Sequence, residues 1–336
     1  MGKIKTSEVI IVGGGIAGLS AAIYLGRAKR DTMVIDSGHS MARWEPEVQN
    51  YLGFPQGISG PELLRLGCRQ VGRYQPTFVH DLIRSARRTR TGFTLKGSKG
   101  FYHCNCLLLA TGIFHIPPDL PGVAPCLGHS MFFCKDCDGY RVQHQSVAIY
   151  GWTNEAVEYA LGILVYSACV IIVTDGRNPK WSSRHKKWLR EYKIPVHTAT
   201  ITGVKRSRNK IQALELSNKT QVEIEALFTT RGDIYYNKLA KCLGAKVDSE
   251  GQIQVDGRMR TNVRGLYAAG CVTPANCQMI IAAGQGATAA QAINRELFEK
   301  SLRTRSLRQV RNLQVQHKKT RPTARRLGTG HKIACG

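Results

Sequence analysis

A glycine-rich turn near the start of the chain constrains its fold more than any other feature. Residues 13–18 read GGGIAG and have the form GxGxxG. They follow an apolar run at 9–12 and precede a stretch of helical composition at 17–25, and a second apolar run at 32–35 ends in Asp36. Strand, tight turn, helix and strand in this order predict a βαβ unit of the dinucleotide-binding type.

Each glycine of this turn has its own physical role. Gly13 permits the turn, Gly15 lets the backbone approach a pyrophosphate, and Gly18 lets the helix pack close to the strand. The helix N-terminus stabilises the phosphate charge. Asp36 lies 18 residues after Gly18, near the spacing of an acid that binds ribose hydroxyls. The alternative, a glycine-rich turn that binds nothing, is disfavoured by this acid and by the flanking strand and helix.

The same pattern recurs in the middle of the chain. An apolar run at 147–150 precedes a turn and helix at 151–160, and a second run at 170–173 leads to Asp175. Two such openings predict an α/β protein with two nucleotide-binding, Rossmann-like domains of three layers, ββα.

The C-terminal part is predicted to contain one more strand, a long helix and a tail. Residues 265–270 form a short apolar run, and a helix from about Gln278 to Lys300 is rich in Ala and Gly at its start, which suits close packing. Residues 301–336 contain ten Lys or Arg and no acidic residue. This composition indicates a basic tail that is mobile or becomes ordered on contact with a partner.

The composition is that of a large folded protein. The 336 residues are 43% hydrophobic, so the chain can bury a sizeable core, and its length favours two or three domains. No apolar run reaches the roughly 18 residues that a membrane span needs. The N-terminus lacks the apolar segment of a secretory signal. We therefore predict a cytoplasmic protein.

The net charge is the outlying number of the composition. The 48 Lys and Arg against 23 Asp and Glu give +25. Such a field attracts an acidic partner, and nucleic acid, an anionic membrane surface and an acidic protein are all candidates. Nucleic acid is disfavoured, because the chain has no RNP, KH or zinc-finger signature and its basic residues lack interleaved aromatic residues.

One close pair is distinctive among the eleven cysteines. Cys134 and Cys137 have a spacing that can close a small disulfide, and the cation Lys135 between them would favour a thiolate. Zinc is the alternative, but a structural zinc site needs four ligands and no second pair has suitable spacing, so no metal is predicted. The remaining nine cysteines are predicted to be small buried side chains or inert thiols.

Together these motifs resemble the low-molecular-weight thioredoxin reductase family of FAD flavoproteins. The matching segments follow the family's order over about residues 7–298. They are GGGIAG at 13–18, NYLGFP at 50–55, GPEL at 60–63, ATG at 110–112, CKDCDG at 134–139, AAG at 268–270 and AAG at 282–284.

The resemblance implies FAD as the cofactor, a homodimer and an interrupted flavin domain. That domain would comprise residues 1–117 and 251–300, with a disulfide-bearing domain at 118–250 inserted and the tail at 301–336 following. The residues that would contact FAD are Gly13, Gly15, Gly18, Asp36, Asn50, Thr111, Gly112 and Gln278. The family usually has Asp after the first AAG to bind the ribityl chain. Here that residue is Cys271, which we expect to lie near FAD without supplying the charged ligand.

The resemblance also implies the chemistry of the cysteine pair. Cys134 would exchange with the disulfide of thioredoxin, and Cys137 would lie against the flavin. Asp138 would donate and accept the proton, because thiol exchange needs a proton source near the leaving thiolate.

The second glycine-rich turn departs from the pattern of the NADPH-using members. Residues 151–156 read GWTNEA, so Thr153 stands where Gly would allow close approach, and Glu155 adds negative charge to a helix start that would hold a dianion. The basic cluster that clamps a 2′-phosphate is replaced by VTDGR at 173–177, in which Asp175 would repel the phosphate. Asp175 could instead mark NADH specificity. Loss of the nucleotide and use of NADH therefore both stay open, and we favour loss.

A flavin domain without a nicotinamide needs another electron donor. FAD accepts electrons singly, which suits a low-potential ferredoxin, and ferredoxins are acidic, so a chain at +25 would attract one. The combination resembles the ferredoxin-dependent flavin thioredoxin reductases. We therefore predict electron flow from ferredoxin through FAD and the cysteine pair to thioredoxin, with an NAD(P)H-dependent reductase as the alternative. The basic stretch at 184–193 is a candidate dock or simply a solvated helix face.

Overall fold

The computed structural model describes residues 4–307 and divides them into two compact units. The first unit is built from three chain segments, 4–43, 61–112 and 235–307. The second is built from two, 44–60 and 113–234. Most of the predicted basic tail, from position 308 onward, lies outside the described residues. The domain boundaries predicted at 117/118 and 250/251 stay predictions.

Within residues 4–307 the α-helices are α1 Ile16–Arg27, α2 Gly60–Gly72, α3 Lys135–Asp138, α4 Asn154–Ile163, α5 Ser183–Glu191, α6 Lys238–Cys242 and α7 Met279–Arg303. None of them is long and apolar enough to cross a membrane. The strands are β1 Lys5–Val12, β2 Thr32–Asp36, β3 Thr77–His80, β4 Ile83–Arg88, β5 Phe93–Gly97, β6 Phe101–Leu109, β7 Ile113–His115, β8 Met131–Phe132, β9 Val147–Tyr150, β10 Val170–Val173, β11 Val196–His197, β12 Ile201–Ser207, β13 Lys210–Leu216, β14 Gln221–Glu223, β15 Ala226–Thr229, β16 Asp233–Tyr235 and β17 Leu266–Ala268.

The first unit is built on a seven-stranded sheet. Its order is β3-β2-β1-β6-β5-β4, and β17 also pairs with β6. Strand β6 is shared by two layers. Its residues 101–104 pair antiparallel with β5, and its residues 107–109 pair in parallel with β17. This sharing gives the ββα layering predicted for a Rossmann-like flavin domain.

Strand β1 is buried on both of its faces. Val9 and Ile11 pack in one core with residues of α1 and α7, whereas Ile10 and Val12 pack in the core on the opposite side of the sheet. Successive side chains of a strand point to opposite faces, so a strand covered on both sides has a continuous apolar run. The run at 9–12 therefore predicted the strand correctly.

Helices α1 and α7 pack with their backbones in close approach. A Cβ at Gly286 would lie 2.1 Å from the carbonyl oxygen of Ala17, and the Ser20 hydroxyl donates a hydrogen bond of 2.7 Å to the carbonyl oxygen of Ala283. The close packing predicted for the Ala- and Gly-rich start of this helix is confirmed. The helix runs to Arg303, so the first three residues assigned to the tail are helical.

The second unit repeats this layering on a smaller scale. Its sheet has the order β11-β10-β9-β15-β8, and all of its strand pairs are parallel. Val147 and Ile149 pack in the core that contains α4, whereas Ala148 and Tyr150 face the core beneath the antiparallel strands β12-β13-β14. The prediction of an α/β protein with two Rossmann-like domains is confirmed.

Candidate active site

The cysteine pair identified from the sequence forms a disulfide. Cys134 is the N-cap of α3 and Cys137 lies within that short helix, with a Cα–Cα distance of 5.3 Å. Both side chains are partly exposed, and the backbone N–H of Cys137 donates to Sγ of Cys134 at 3.1 Å. A partner thiol can therefore reach the pair, and this N–H stabilises negative charge on the Cys134 sulfur once the bond is broken.

Asp138 is buried beside the disulfide. Its side chain accepts a hydrogen bond of 2.9 Å from Nη1 of Arg141, whose Nη2 donates to the carbonyl oxygen of Gly128 at 3.0 Å. Burial raises the pKa of Asp138, and the Arg141 guanidinium opposes that rise. A carboxyl group with a raised pKa retains its proton to higher pH, so Asp138 has the chemistry that proton transfer to a thiolate requires. Its role in catalysis stays a prediction.

A second carboxylate, Glu45, lies near Asp138 and was missed by the sequence analysis. Burial and then the charge of Asp138 raise the pKa of Glu45 to about 7. The residue follows a 3-10 helix at Met41–Trp44, and its carbonyl oxygen accepts a hydrogen bond from the N–H of Gly60. Glu45 is distant from Asp138 in the sequence and belongs to no motif, so only the folded chain shows that the two carboxylates interact.

Substitution of Glu45 by Gln should change how stability depends on pH. Its pKa is raised from 4.5 to about 7, so the native chain binds more protons than the unfolded chain between these two pH values. The free energy of unfolding therefore falls as pH rises through this window, by at most about 3 kcal/mol. In Glu45→Gln this fall in unfolding free energy should become smaller, because the titrating carboxyl is gone. It should not vanish, because the pKa of Asp138 is also raised. Urea unfolding at pH 5 and pH 8 measures the difference.

The matched control is Glu223→Gln, which removes an exposed carboxylate from the same unit. It should leave the difference in unfolding free energy between pH 5 and pH 8 unchanged. An equal change in both variants would contradict the assignment of a raised pKa to Glu45.

The ammonium of Lys135 is paired with a neighbouring carboxylate. It donates to Oδ1 of Asp136 at 2.7 Å and lies 5.8 Å from the ring centroid of Tyr159. The sequence predicted that this cation favours a thiolate. In the structure its nearest charged partner is a carboxylate, so the helix-start N–H is the group that contacts the Cys134 sulfur.

The prediction that the remaining nine cysteines are small buried side chains or inert thiols is wrong for Cys271 and Cys277. Cys271 and Cys277 form a second disulfide, with a Cα–Cα distance of 4.8 Å. The pair has no sequence signature, because its sulfurs meet only when the intervening loop folds back. Among the described residues, three free cysteines are buried, and burial raises the pKa of each thiol: Cys104, Cys106 and Cys126. Two free cysteines are exposed, Cys169 and Cys242.

The first glycine-rich turn has backbone contacts that admit no side chain at two positions. Gly13 has a φ of +111°, and a Cβ there would lie 2.1 Å from the carbonyl oxygen of Ala110. A Cβ at Gly18 would lie 1.9 Å from the carbonyl oxygen of Gly13. Helix α1 begins directly after Gly15 and has no acidic residue in its first turn. A helix start of this kind fits the pyrophosphate of a dinucleotide such as FAD.

Asp36 lies at the end of β2 beside this turn. Its Oδ1 accepts from the N–H of Gly14 at 2.8 Å, and its Oδ2 accepts from the N–H of Gly38 at 3.2 Å. Each carboxylate oxygen can accept a further hydrogen bond, so the side chain fits a ribose hydroxyl as well.

The remaining residues predicted to contact FAD lie in different places. The hydroxyl of Thr111 donates to the carbonyl oxygen of Tyr236 at 2.7 Å, and the carbonyl oxygen of Gly112 accepts from the N–H of Tyr236 at 3.1 Å. Gln278 is the N-cap of α7. Asn50 is an exposed residue of the second unit, whereas the other seven belong to the first. The assignment of all eight to FAD stays a prediction.

The second glycine-rich turn contacts a neighbouring loop of the protein. The guanidinium of Arg177 lies 4.0 Å from the ring centroid of Trp152. Asp175 accepts from the hydroxyl of Tyr150 at 2.8 Å through one oxygen and from the N–H of Ile201 at 2.9 Å through the other. Asp175, the acid expected to face a nucleotide ribose or phosphate, thus accepts two hydrogen bonds from the protein, as Asp36 does beside the first turn.

The loop at 174–182 is also tied to this turn by its backbone. The N–H of Lys180 donates to the carbonyl oxygen of Trp152 at 2.7 Å, and Thr153 forms an isolated β-bridge with Lys180. The N–H of Ser182 donates to Oδ1 of Asn154 at 2.8 Å. The loop and the turn thus form one hydrogen-bonded structure.

Comparisons with known proteins agree with the fold and the disulfide. Residues 7–295 match the family model described as pyridine nucleotide-disulphide oxidoreductase. The thioredoxin reductase of Coxiella burnetii is 30% identical over 319 residues, 88% of this chain and 98% of that protein, and that of Bacillus subtilis is 26% identical over 319 residues, 90% and 99% of the two chains. A solved structure of a putative thioredoxin reductase from Bacillus anthracis has a TM-score of 0.80 at 25% identity and covers 88% of this chain and 99% of its own. The chain therefore belongs to the pyridine nucleotide-disulphide oxidoreductase family.

Proposed function

We propose that this protein is an FAD-dependent disulfide oxidoreductase that reduces thioredoxin through Cys134 and Cys137 and takes its electrons from ferredoxin. The observation that carries the choice of donor is the second glycine-rich turn, where Arg177 packs on the Trp152 ring and the loop at 174–182 is hydrogen-bonded to the turn. A homodimer and a cytoplasmic location, both expected from the sequence, belong to the same proposal.

This second turn lies where a nicotinamide dinucleotide would bind. In open α/β sheets, dinucleotides occupy the crevice beyond the carboxyl ends of the strands. Strand β9 ends at Tyr150, directly before the turn, and the loop at 174–182 follows the end of β10. Glu155 in the first turn of α4 adds negative charge at the helix start, which disfavours a pyrophosphate there. These features support a donor other than NADPH or NADH.

The first glycine-rich turn supplies the residues that would hold FAD. The start of α1 after Gly15 would bind the pyrophosphate, and Asp36 would bind the ribose. When bound, FAD supplies the means to collect single electrons and deliver them in pairs to a disulfide.

The reduced cysteine pair passes its electrons on by thiol exchange. The Cys134 thiolate attacks one sulfur of the thioredoxin disulfide, which forms a mixed disulfide and releases a thiolate. The Cys137 thiolate then attacks Cys134 Sγ, closes the intramolecular disulfide and releases the second thiolate. Two electrons and the two cysteine protons end on thioredoxin. Protonated Asp138 gives a proton to the leaving thiolate and recovers one from Cys137.

An exposed basic surface on α5 and the residues just after it supports an acidic donor. The cations Arg184, Lys186, Lys187, Arg190 and Lys193 are all exposed. Arg184 lies over the Trp188 ring at 4.3 Å, and Lys187 forms an ion pair with Glu191 at 3.5 Å. A cluster of this sign raises the association rate of an acidic protein such as ferredoxin, most strongly at low salt.

The test mixes the FAD-loaded protein with one donor at a time, without oxygen, and follows the flavin absorbance by stopped flow. Reduced ferredoxin should bleach the flavin, whereas NADPH and NADH should leave it oxidised over the same interval. Rapid bleaching by NADPH or NADH would overturn the choice of donor. The function would then be that of an NAD(P)H-dependent thioredoxin reductase. The pyridine nucleotide in the family's description favours this second candidate.

Charge reversal on α5 tests the dock separately from the donor. Lys186→Glu with Arg190→Glu should slow bleaching by ferredoxin about tenfold at low salt, and the difference should shrink as salt is added. Lys205→Glu with Lys210→Glu makes the same change in charge on exposed positions of β12 and β13 and should have a much smaller effect. Equal slowing by both pairs would show that net charge alone controls the rate.

A further inference from the structure

We propose that Cys271–Cys277 is a second redox-active disulfide, which exchanges with dithiol proteins of the thioredoxin type and controls how tightly the protein holds FAD. The proposal rests on the proposed function in one respect, since it takes the turn at 13–18 as the FAD site. Three observations support the proposal: the contacts with helix α1 of the segments that flank the loop at 271–277, the unequal burial of the loop's two halves and the partial exposure of its cysteines.

The disulfide begins where the backbone contacts the proposed FAD cradle. Cys271 follows Gly270, and a Cβ at Gly270 would lie 3.0 Å from the Cβ of Ala17 in the first turn of α1. The helix that follows the loop packs on the same residue, because Gly286 of α7 lies against the carbonyl oxygen of Ala17. Both ends of the disulfide loop are thus joined to segments that contact the helix start where the pyrophosphate would bind.

The two halves of the loop are anchored unequally. Val272 and Thr273 are fully buried, the Thr273 hydroxyl donates to the carbonyl oxygen of Gly270 at 2.8 Å, and the carbonyl oxygen of Val272 accepts from the N–H of Ile253. Pro274 and Asn276 in the second half are exposed. The Cys271–Cys277 bond ties this exposed half, and with it the start of α7, to the buried half. Reduction removes that covalent link and gives residues 274–277 more conformational freedom.

The disulfide is accessible and has a favoured direction of attack. Both cysteines are partly exposed. Cys277 stands directly before the N-cap of α7, a helix of 25 residues with no acidic residue in its first turn. The positive end of a helix dipole stabilises a thiolate, and the sulfur with the more stable thiolate leaves more readily. An incoming thiolate should therefore attack Cys271 and release Cys277.

The exchange balances with a dithiol as the reductant. The thiolate of the dithiol attacks Sγ of Cys271, which forms a mixed disulfide and releases Cys277 as a thiolate. The second thiolate of the dithiol then attacks the dithiol's own first sulfur, which is bonded to Cys271 in the mixed disulfide. This step releases Cys271 as a thiolate and oxidises the dithiol to a disulfide. Two electrons pass to Cys271 and Cys277, and the two protons of the dithiol end on these sulfurs. Reduced thioredoxin, the product of the proposed reaction, is such a dithiol, so its accumulation loosens FAD and slows the enzyme.

The first experiment measures the exchange by alkylation of the unaltered full-length protein. Cleavage after Arg264 and Arg295 gives a tryptic peptide, 265–295, that contains Cys271 and Cys277 and no other cysteine. Iodoacetamide should add no group to it in the oxidised protein and two groups after incubation with reduced thioredoxin. Alkylation without reductant, or a peptide that stays oxidised with reduced thioredoxin, would overturn the proposal.

The second experiment measures FAD release in Cys134→Ser with Cys137→Ser, where a dithiol cannot reach the flavin through the first pair. Reduced thioredoxin should raise the FAD dissociation rate, followed by flavin fluorescence, by at least about fivefold. Adding Cys271→Ser and Cys277→Ser to this variant should give the fast rate with or without the dithiol, whereas adding Cys169→Ser and Cys242→Ser should retain the response. An unchanged dissociation rate on reduction refutes the proposal.

Failure of this inference and failure of the proposed function give different results. Neither readout uses an electron donor or thioredoxin turnover, so bleaching by NADPH would leave both readouts unaffected. Conversely, a protein that is reduced by ferredoxin and reduces thioredoxin, but whose FAD dissociation rate ignores dithiols, would refute this inference alone. A protein that binds no FAD would fail both proposals at the common step.

Discussion

We expect serine at Cys134 or at Cys137 to lower the rate of thioredoxin reduction by at least about a thousandfold, because each substitution removes a sulfur that must form a covalent bond during turnover. The two variants should differ in what they accumulate. Cys137→Ser retains the Cys134 thiol and should trap thioredoxin as a mixed disulfide, whereas Cys134→Ser should form none. Steady-state turnover and non-reducing gel electrophoresis measure the two effects.

The matched control is Cys242→Ser, which removes an exposed free thiol. It should retain full turnover and form no trapped complex. The rate of flavin bleaching by the electron donor should survive in all three variants, because that step precedes thiol exchange. Substantial turnover in Cys137→Ser would mean that another thiol resolves the mixed disulfide and would refute the assigned order of attack.

The second large effect is expected from Gly18→Ala. The new Cβ would lie 1.9 Å from the carbonyl oxygen of Gly13, and backbone at this position cannot rotate away as a flexible side chain can. We expect the free energy of unfolding to fall by about 3 kcal/mol and the purified protein to lose most of its flavin, because the start of α1 must shift. Urea unfolding and the ratio of flavin to protein absorbance measure both losses.

Gly284→Ala is the control for this substitution. Gly284 is exposed on α7, and a Cβ there would meet no atom within 4 Å. Alanine in an open helical position raises the free energy of unfolding by up to about 1 kcal/mol, and flavin content should not change. Full flavin content in Gly18→Ala would contradict the close contact between α1 and the turn.

Local spacing was enough to predict the elements that carry the two glycine-rich turns. The apolar run at 9–12, the turn at 13–18 and the helix after it are consecutive, so their order determines the βαβ unit without long-range information. The disulfide of Cys134 and Cys137 was equally local, since both residues lie within one turn of chain. The helix at 279–303 was predicted to end at about Lys300, three residues too early. Its last residues have the same basic composition as the tail, so composition alone does not show where the helix ends.

The features that were missed all depend on residues that meet only in the folded chain. Asp138 raises the pKa of Glu45 from a distant position in the sequence. Burial, which no single residue reveals, is the main cause of the raised pKa of each carboxylate. Cys271 and Cys277 are six residues apart, a separation without a recognised motif. The hydrogen bonds of Asp175 with Tyr150 and Ile201 likewise form only in the folded chain.

The loop at 174–182 has a practical consequence for protein engineering. It contacts the second turn through Arg177 over the Trp152 ring and through a backbone bond from Lys180 to Trp152, and its Asp175 also accepts from the N–H of Ile201. Trimming Trp152 alone would leave the backbone in place. A redesign of this turn would therefore have to exchange the whole loop as well, and it would need a new acceptor for the N–H of Ile201.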